Sequence, residues 1–392
     1  MSVKVAELTA FQVRIPLRRR VQHASHSRTS TDNFVLRCVL DDKTTGYGEG
    51  VPREYVTGET VVSAVDLLRR SELAGQLHSP RDFAEAIAMV ERLRLAAVPG
   101  DDRGCRGNAA RCAVELALLD AYGRRFGEPL SAIVRRLAPD LYAPQSRVRY
   151  SGAITSARGG YKLFLAAFAQ VVCRFRQVKV KVGIDGYDDV GRLRNIRRYL
   201  GRRVDLRVDA NEAWTPNNVL ERIRELAPFG ITAVEQPVPH SEVTALADVR
   251  RQINVPIMLD ESLCTLIDAE RAVERNTCDL FNLRLSKCGG FIPSLRLAQF
   301  ARRHGLGYQL GCQVGETALL SAAGRHFATS VAGLRYVEGS YDRHLVRESL
   351  STGDITFGWG GWAAALSGPG LGVSVDPAAL QRVTILKEYL LG

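Results

Sequence analysis

No apolar run in this 392-residue sequence approaches the roughly 18 residues that a membrane helix needs, so a spanning segment is not expected. The eight cysteines include no Cys-x-x-Cys pair, which leaves neither a disulfide framework nor a zinc site spelled out. They read as reduced, small core residues. The N-terminus, MSVKVAELTAFQVRIPLRRR, has no continuous apolar stretch followed by a small-residue cleavage site, so no export signal is read and the cytoplasm is the expected location. No low-complexity linker breaks the chain, and no basic motif interleaved with aromatics offers a nucleic-acid platform.

What is present is ample for a buried core: 46% hydrophobic and 24% charged residues. Lys plus Arg number 53 against 42 Asp plus Glu, a net charge of +11 that favours anionic partners. The first segment reads as strands, VAELTAFQVRIPL, FVLRCVLDD and TTGYGEG, with a turn at Asp41-Asp42-Lys43. From Asn108 to Phe126 the apolar positions fall at helical spacing, closed by Gly127 and Pro129. Residues 1–140 thus form an expected α+β domain.

Beyond it, short β-branched runs alternate with amphipathic helices. The runs lie at 148–154, 178–182, 204–208, 231–235, 256–260, 280–285, 307–311 and 334–338. Thr215 with Pro216 is the expected start of one helix, and Val190, Leu193, Ile196 and Leu200 form the stripe of another after Asp188. Eight strands with intervening helices over about 200 residues predict a (β/α) barrel whose active site lies at the C-terminal strand ends. The expected division is a cap at 1–140, a barrel at 141–350, and a tail at 351–392 that returns to the cap.

Ionisable residues recur with the period of the βα unit. VKVKVG carries Lys179 and Lys181, LRVDAN carries Asp209 and Asn211, TAVEQP carries Glu235, and IMLDES carries Asp260 and Glu261. A lone acid after a strand is ordinarily a helix cap or a surface charge. Three at one-unit spacing would repel one another in a partly dry site unless a cation sat between them, and all-oxygen ligation suits Mg²⁺. Asp209, Glu235 and Asp260 are therefore the expected metal ligands, with Asn211 and Glu261 beside them. Lys179 and Lys181 alternate with valines, so both ammonium groups face the barrel interior, where two close positive charges would lower each other's pKa. The same step continues to Arg284 or Lys287, then to Cys312 or Gln313, and then to Glu338.

These motifs, in this order, resemble the enolase superfamily and within it the muconate-lactonizing-enzyme subgroup; the helix ALLDAYGRRFGEPL and the tail GPGLGVSVD share the likeness. The resemblance implies a (β/α)7β TIM-like barrel with an α+β capping domain completed by the C-terminal tail. It implies Mg²⁺, with Mn²⁺ as the other acceptable ion, and removal of a proton α to a substrate carboxylate through an enediolate. By position Lys181 is the base and Lys179 tunes it. The subgroup usually carries a second lysine in a pattern like Asn-Ile-Lys; here Asn282-Leu283-Arg284 stands instead, and Arg284 stays protonated. One-base chemistry is therefore expected: cycloisomerisation of a muconate-like diacid, or a dehydration like that of o-succinylbenzoate synthase. The alternative is a dipeptide epimerase or N-acylamino acid racemase, with Lys287 three residues on as a second base. A non-catalytic nucleic-acid binder or a pseudoenzyme is the alternative of another class.

Glu338 resembles the acid at the eighth strand of cycloisomerases, and Glu316 reads as a helix first-turn acid. The resemblance further implies that loops of the cap close over the barrel mouth, residues 16–31 with Arg18, Arg19, Arg20, His23, His26 and Arg28, and residues 51–58 with Arg53 and Tyr55. Such a cationic lid suits a small carboxylate substrate, a dicarboxylate included. Relatives of this kind often assemble into homo-oligomers.

Overall fold

The computed structural model describes residues 3–22, 27–155 and 160–391. His23 and His26 lie outside the described residues. The chain opens with three antiparallel strands, Val5–Gln22, Ser27–Leu40 and Thr45–Gly50, and its last strand, Thr384–Leu391, adds to the free edge of the first. In the third strand, Thr-Gly-Tyr-Gly-Glu-Gly, the two-residue period puts Gly46, Gly48 and Gly50 on one face. The helix Asn108–Phe126 lays Ala109, Ala113, Ala117 and Ala121, four residues apart, against that face. The fit leaves no room for a side chain: a Cβ on Gly48 would stand 2.1 Å from the Ala113 carbonyl oxygen, and one on Gly46 2.1 Å from the Ala121 nitrogen. The helix stops where Gly127 takes the left-handed conformation, φ 70°.

The second half is a sheet of eight parallel strands in sequential order: Gly152–Ile154, Gln177–Lys181, Asp205–Asp209, Ile231–Glu235, Ile257–Leu259, Leu280–Leu283, Gly307–Leu310 and Leu334–Val337. They are called barrel strands one to eight below. The Ser151 N–H donates to the Val337 carbonyl at 2.8 Å and joins the two edges. Helices at 160–172, 189–200, 219–226, 246–250, 266–274, 291–303 and 318–328 fill the seven connections, the (β/α)7β arrangement.

Strand positions agree with the sequence reading to within a residue or two, with one exception. The run 148–154 is two pieces: Arg147–Arg149 pairs antiparallel with Trp362–Ala364, and only Gly152–Ile154 enters the barrel. A helix start also differs. The helix expected from Thr215 begins at Val219, because the Asn218 Oδ1 accepts from the Thr215 N–H (2.9 Å) and closes a turn first. Among the described residues no helix is long and apolar enough to cross a membrane.

Cap and barrel are joined through buried polar contacts. Glu49, at the end of the Thr45–Gly50 strand, accepts from the Thr317 N–H (3.1 Å), the Thr317 hydroxyl (2.8 Å) and the Leu320 N–H (3.2 Å), capping helix 318–328 from across the interface. Asn33 donates to the Gly315 carbonyl at 2.8 Å. The tail packs on the cap as well, where Asp120 accepts from the Leu371 N–H at 2.7 Å.

Candidate active site

The second barrel strand alternates as its sequence requires. Val178 and Val180 are fully buried in the apolar core, and both lysines point into the barrel. The Lys179 ammonium donates to Glu338 at 2.9 Å and lies 3.3 Å from both Asp209 and Glu235. Burial alone would lower its pKa. The surrounding carboxylates, Glu235 first, outweigh that and hold it well above the ordinary lysine range. Lys179 is thus a fixed cation, contrary to the mutual lowering expected of the pair.

Lys181 differs by one turn of the pleat. Its ammonium donates to Asn211 Oδ1 at 2.6 Å, and burial, with Lys179 and Arg284 nearby, lowers its pKa although Asp209 opposes. It is the more readily deprotonated of the two.

Asp209, Glu235 and Asp260 end three neighbouring strands, and Asp209 is the direct register partner of Glu235. All three are buried. Arg284 bridges Asp260 and Glu235, at 3.4 Å from the latter, while Asn282 donates to Glu235 at 2.7 Å. Burial would raise Asp260, but Arg284 and Lys287 override it and draw it down to about 2. Glu235 goes the other way, to about 8, through burial and then the Asp209 charge.

Among the described residues no three acidic, histidine or cysteine side chains already close around one metal-sized point. The donor set nevertheless fits a hard divalent cation: three buried carboxylates on adjacent strands, where burial and the neighbouring Asp209 charge push the Glu235 pKa up.

Lys287 does not reach this space. Its ammonium is 1% exposed and donates to the Asp260 carbonyl (2.7 Å), Asp260 Oδ1 (2.9 Å) and the Asn282 carbonyl (2.9 Å). The second base of the alternative reading is therefore a strut beneath Asp260, because three acceptors saturate its three donors. Arg284 faces the cavity instead. Glu261 is buried behind Asp260, and burial followed by the Asp260 charge pushes its pKa well up.

A cavity of about 160 Å³ opens above these groups, lined by Lys179, Lys181, Asp209, Asn211, Arg284 and Glu338 on the barrel side. From the cap it receives Arg19, Arg20, Arg53, Tyr55 and Val56. Arg53 is already engaged. Its guanidinium donates to the Pro52 (2.7 Å) and Val314 (2.8 Å) carbonyls and to the Thr31 hydroxyl (2.7 Å), tying the cap loop to the barrel. Tyr55 lies under Arg28, whose guanidinium carbon is 5.6 Å from the ring centre. Glu316 precedes its helix rather than sitting in the first turn, and it accepts from the Gln313 N–H at 2.5 Å.

Two residues escaped the sequence reading. Arg207, fully buried in mid-strand, pairs with Glu338 and donates to Ser151 Oγ at 3.3 Å, so that Glu338 is gripped from below by Arg207 and from the side by Lys179. Despite burial, those two cations hold Glu338 at about 2. Gln236 accepts from the Asp260 N–H (2.9 Å) and the Ser262 N–H (3.1 Å), fixing the start of the fifth loop. Its φ of 36°, like 46° at Asn211 and 52° at Ser340, marks strained backbone just past the strands that bear Glu235, Asp209 and Glu338. The signal for Arg207 was a charge at an inward position of a central strand, two residues before Asp209.

Residues 164–379 match the family model "Enolase C-terminal domain-like", and the chain belongs to that family as an enolase-superfamily enzyme. Over 99% of its length it is 26% identical to an N-succinyl-L-Arg/Lys racemase of Bacillus cereus, covering 100% of that protein. Other curated relatives are dipeptide epimerases. The crystal structure of a Cytophaga hutchinsonii dipeptide epimerase complexed with Mg and the dipeptide D-Ala-L-Val superposes with a TM-score of 0.84 at 25% identity, over 99% of this chain and 100% of that one. A Pseudomonas fluorescens muconate lactonizing enzyme shares the fold, with a TM-score of 0.84 at 23% identity over 98% of this chain and 100% of that one. The sequence relatives therefore fall on the racemase and epimerase side rather than with the cycloisomerases that the sequence reading put first.

Proposed function

We propose that this protein exchanges the proton α to the carboxylate of an N-acylated amino acid or dipeptide, using Lys181 as its single base. The observation that carries this reading is the occupancy of the cavity wall: Lys181 faces it with a lowered pKa, Arg284 stands opposite, and Lys287 is turned under Asp260. The substrate class follows from the relatives, whose names specify dipeptides and an N-succinyl amino acid. Arg19 and Arg20 at the cavity mouth favour an acyl group or side chain that carries a second carboxylate.

Asp209, Glu235 and Asp260 would hold Mg²⁺, which when bound supplies Lewis-acid stabilisation of the negative charge on the substrate carboxylate. The protein's own residues do the rest. Lys181 Nζ removes the α-proton as a free amine; returning it to the same face only exchanges it with solvent and regenerates the substrate, so one-base turnover needs a β-substituent to leave with its bonding electrons, the protonated Lys181 supplying the proton it takes. Lys179, fixed by Glu338, Glu235 and Asp209, orients the carboxylate and offsets the charge that develops. Arg284 adds positive charge from the other side but holds its protons, because Asp260, Glu261 and Glu235 outweigh its burial and raise its pKa.

The test is incubation with dicarboxylates, N-succinyl amino acids and dipeptides in D₂O with Mg²⁺, followed by proton NMR and polarimetry. Loss of the α-proton signal with retained optical rotation is expected. Exchange with inversion would instead support the second reading, a racemase or epimerase in which a proton reaches the carbon from the face opposite Lys181; the names of the relatives favour that reading.

A further inference from the structure

We propose that the outer wall of the barrel at helices 160–172 and 189–200 is a docking surface for an anionic phospholipid bilayer. The proposal does not depend on the reaction assigned above. Helix 160–172 buries only Leu163 and Ala167 against the barrel. On its other side Tyr161, Phe164, Leu165, Phe168, Val171 and Val172 recur three and four residues apart, and each is between 37% and 74% exposed. Tyr199 of the neighbouring helix extends this stripe, its ring edge-on to Phe164 with 5.2 Å between centres. These are seven of the fifteen large apolar side chains that the described residues leave exposed, so the patch is a concentrated feature and not the ordinary scatter of a surface.

Charge supplies the chemistry of the partner. Residues 160–176 and 190–204 hold nine Lys and Arg and no Asp or Glu. Seven of the nine are exposed, Arg194, Arg198, Arg202 and Arg203 among them, and none of the seven forms an ion pair among the described residues. The acids that bracket the second stretch are engaged: Asp188 accepts from the Gly191 N–H (2.9 Å), Asp189 pairs with Arg192 (2.8 Å), and Asp205 accepts from the Thr232 hydroxyl. At the far end of helix 160–172 the Gly360 N–H donates to the Cys173 carbonyl (2.8 Å) and brings up the exposed Trp359 and Trp362. The guanidinium carbons of Arg147 and Arg149 stand 4.2 and 5.3 Å from the Trp362 ring centre. An apolar stripe fringed by arginine and tryptophan suits the headgroup layer, where the stripe enters the acyl boundary and the guanidinium groups meet phosphates.

Two other occupants fit less well. A second copy docking through the same face would set this basic fringe against its like, with no acid in either stretch to offset it. A nucleic-acid strand needs free ring faces, but Phe164 and Phe168 are stacked on each other at 5.5 Å, and Leu165, Val171 and Val172 have no ring to offer a base. The 13 residues of the helix are too short to cross about 30 Å of hydrocarbon, so it lies along the surface. The substrate cavity opens at the strand ends and not through the wall, so docking leaves it accessible.

The experiment sediments the full-length protein with vesicles of phosphatidylcholine alone and of phosphatidylcholine with phosphatidylserine, at low and at high salt. Binding is expected only to the phosphatidylserine vesicles, and salt should weaken it. Leu165→Ser with Phe168→Ser, and separately Arg198→Glu with Arg202→Glu, should each weaken binding at least about tenfold. Arg135→Glu with Arg303→Glu, the same change of charge on helices Ala132–Leu137 and Phe291–Arg303, should weaken it far less. All six positions are exposed, and if one patch variant fails to fold the other decides. Equal binding to both vesicles or to neither, or an equal loss in the control variant, would overturn the proposal. So would a wild-type dimer in light scattering that Leu165→Ser with Phe168→Ser splits, or retention of a single-stranded oligonucleotide that the same variant abolishes.

Discussion

Two lysines, two residues apart on one strand, end in opposite protonation tendencies because their partners differ. Lys179 meets three carboxylates and is held charged; Lys181 meets an amide oxygen and is left easier to deprotonate. A base acts as the free amine, so the exchange rate should rise with pH through the lowered Lys181 pKa, and this limb should vanish in Lys181→Ala together with a loss of about 10²–10⁴ in rate. NMR exchange rates measured across pH check both. The guanidinium opposite makes a sharper prediction. Arg284→Lys places a titratable amine on the second face, and inversion of the α-carbon should appear where the parent shows exchange with retention. Polarimetry on the variant reads this directly, and unchanged retention would show that Arg284 does not border the reacting carbon.

At the scale of elements, side-chain absence does as much as side-chain presence. Gly46, Gly48 and Gly50 let a strand lie on the alanine face of helix Asn108–Phe126, and backbone atoms, which cannot swing aside, fill the space a Cβ would need. Gly48→Ala should therefore destabilise the protein by about 3 kcal/mol, the upper range for overpacking, as read from urea midpoints. The sequence showed this helix end to end, since its apolar spacing and Gly127 are local signals, and it placed the barrel strands because one βα unit repeats about every 26 residues. It also brought Asp209, Glu235, Asp260 and Lys179 to one rim. It could not say which way Lys287 turns, because that depends on whether the carbonyls of Asp260 and Asn282 lie below it, contacts made across two strands. Arg53 was equally opaque: a cation in a loop reads as a lid, and only its carbonyl partners reveal a tether. Arg207 stayed hidden because its partner Glu338 is five barrel strands further along the chain.

The whole molecule is tied together at its ends and at its centre. The last strand completes the cap sheet by pairing Leu8 through Val13 with Leu391 through Thr384, so truncation after Val383 should expose the first strand's edge and lower the thermal midpoint. The centre offers a stricter test. Three carboxylates crowd one rim, and burial together with the Asp209 charge pushes the Glu235 pKa up to about 8. A divalent ion that binds only the folded chain must stabilise it, by about 2.7 kcal/mol when present at a hundred times its dissociation constant. Mg²⁺ should therefore raise the thermal midpoint of the wild type and should do so far less in Asp209→Asn or Glu235→Gln. Glu235→Gln removes one candidate ligand, so its midpoint should fall behind that of the wild type as Mg²⁺ is added. Calorimetric scans over a magnesium series compare the two, and an identical upward shift in both would remove these carboxylates from the ion's coordination.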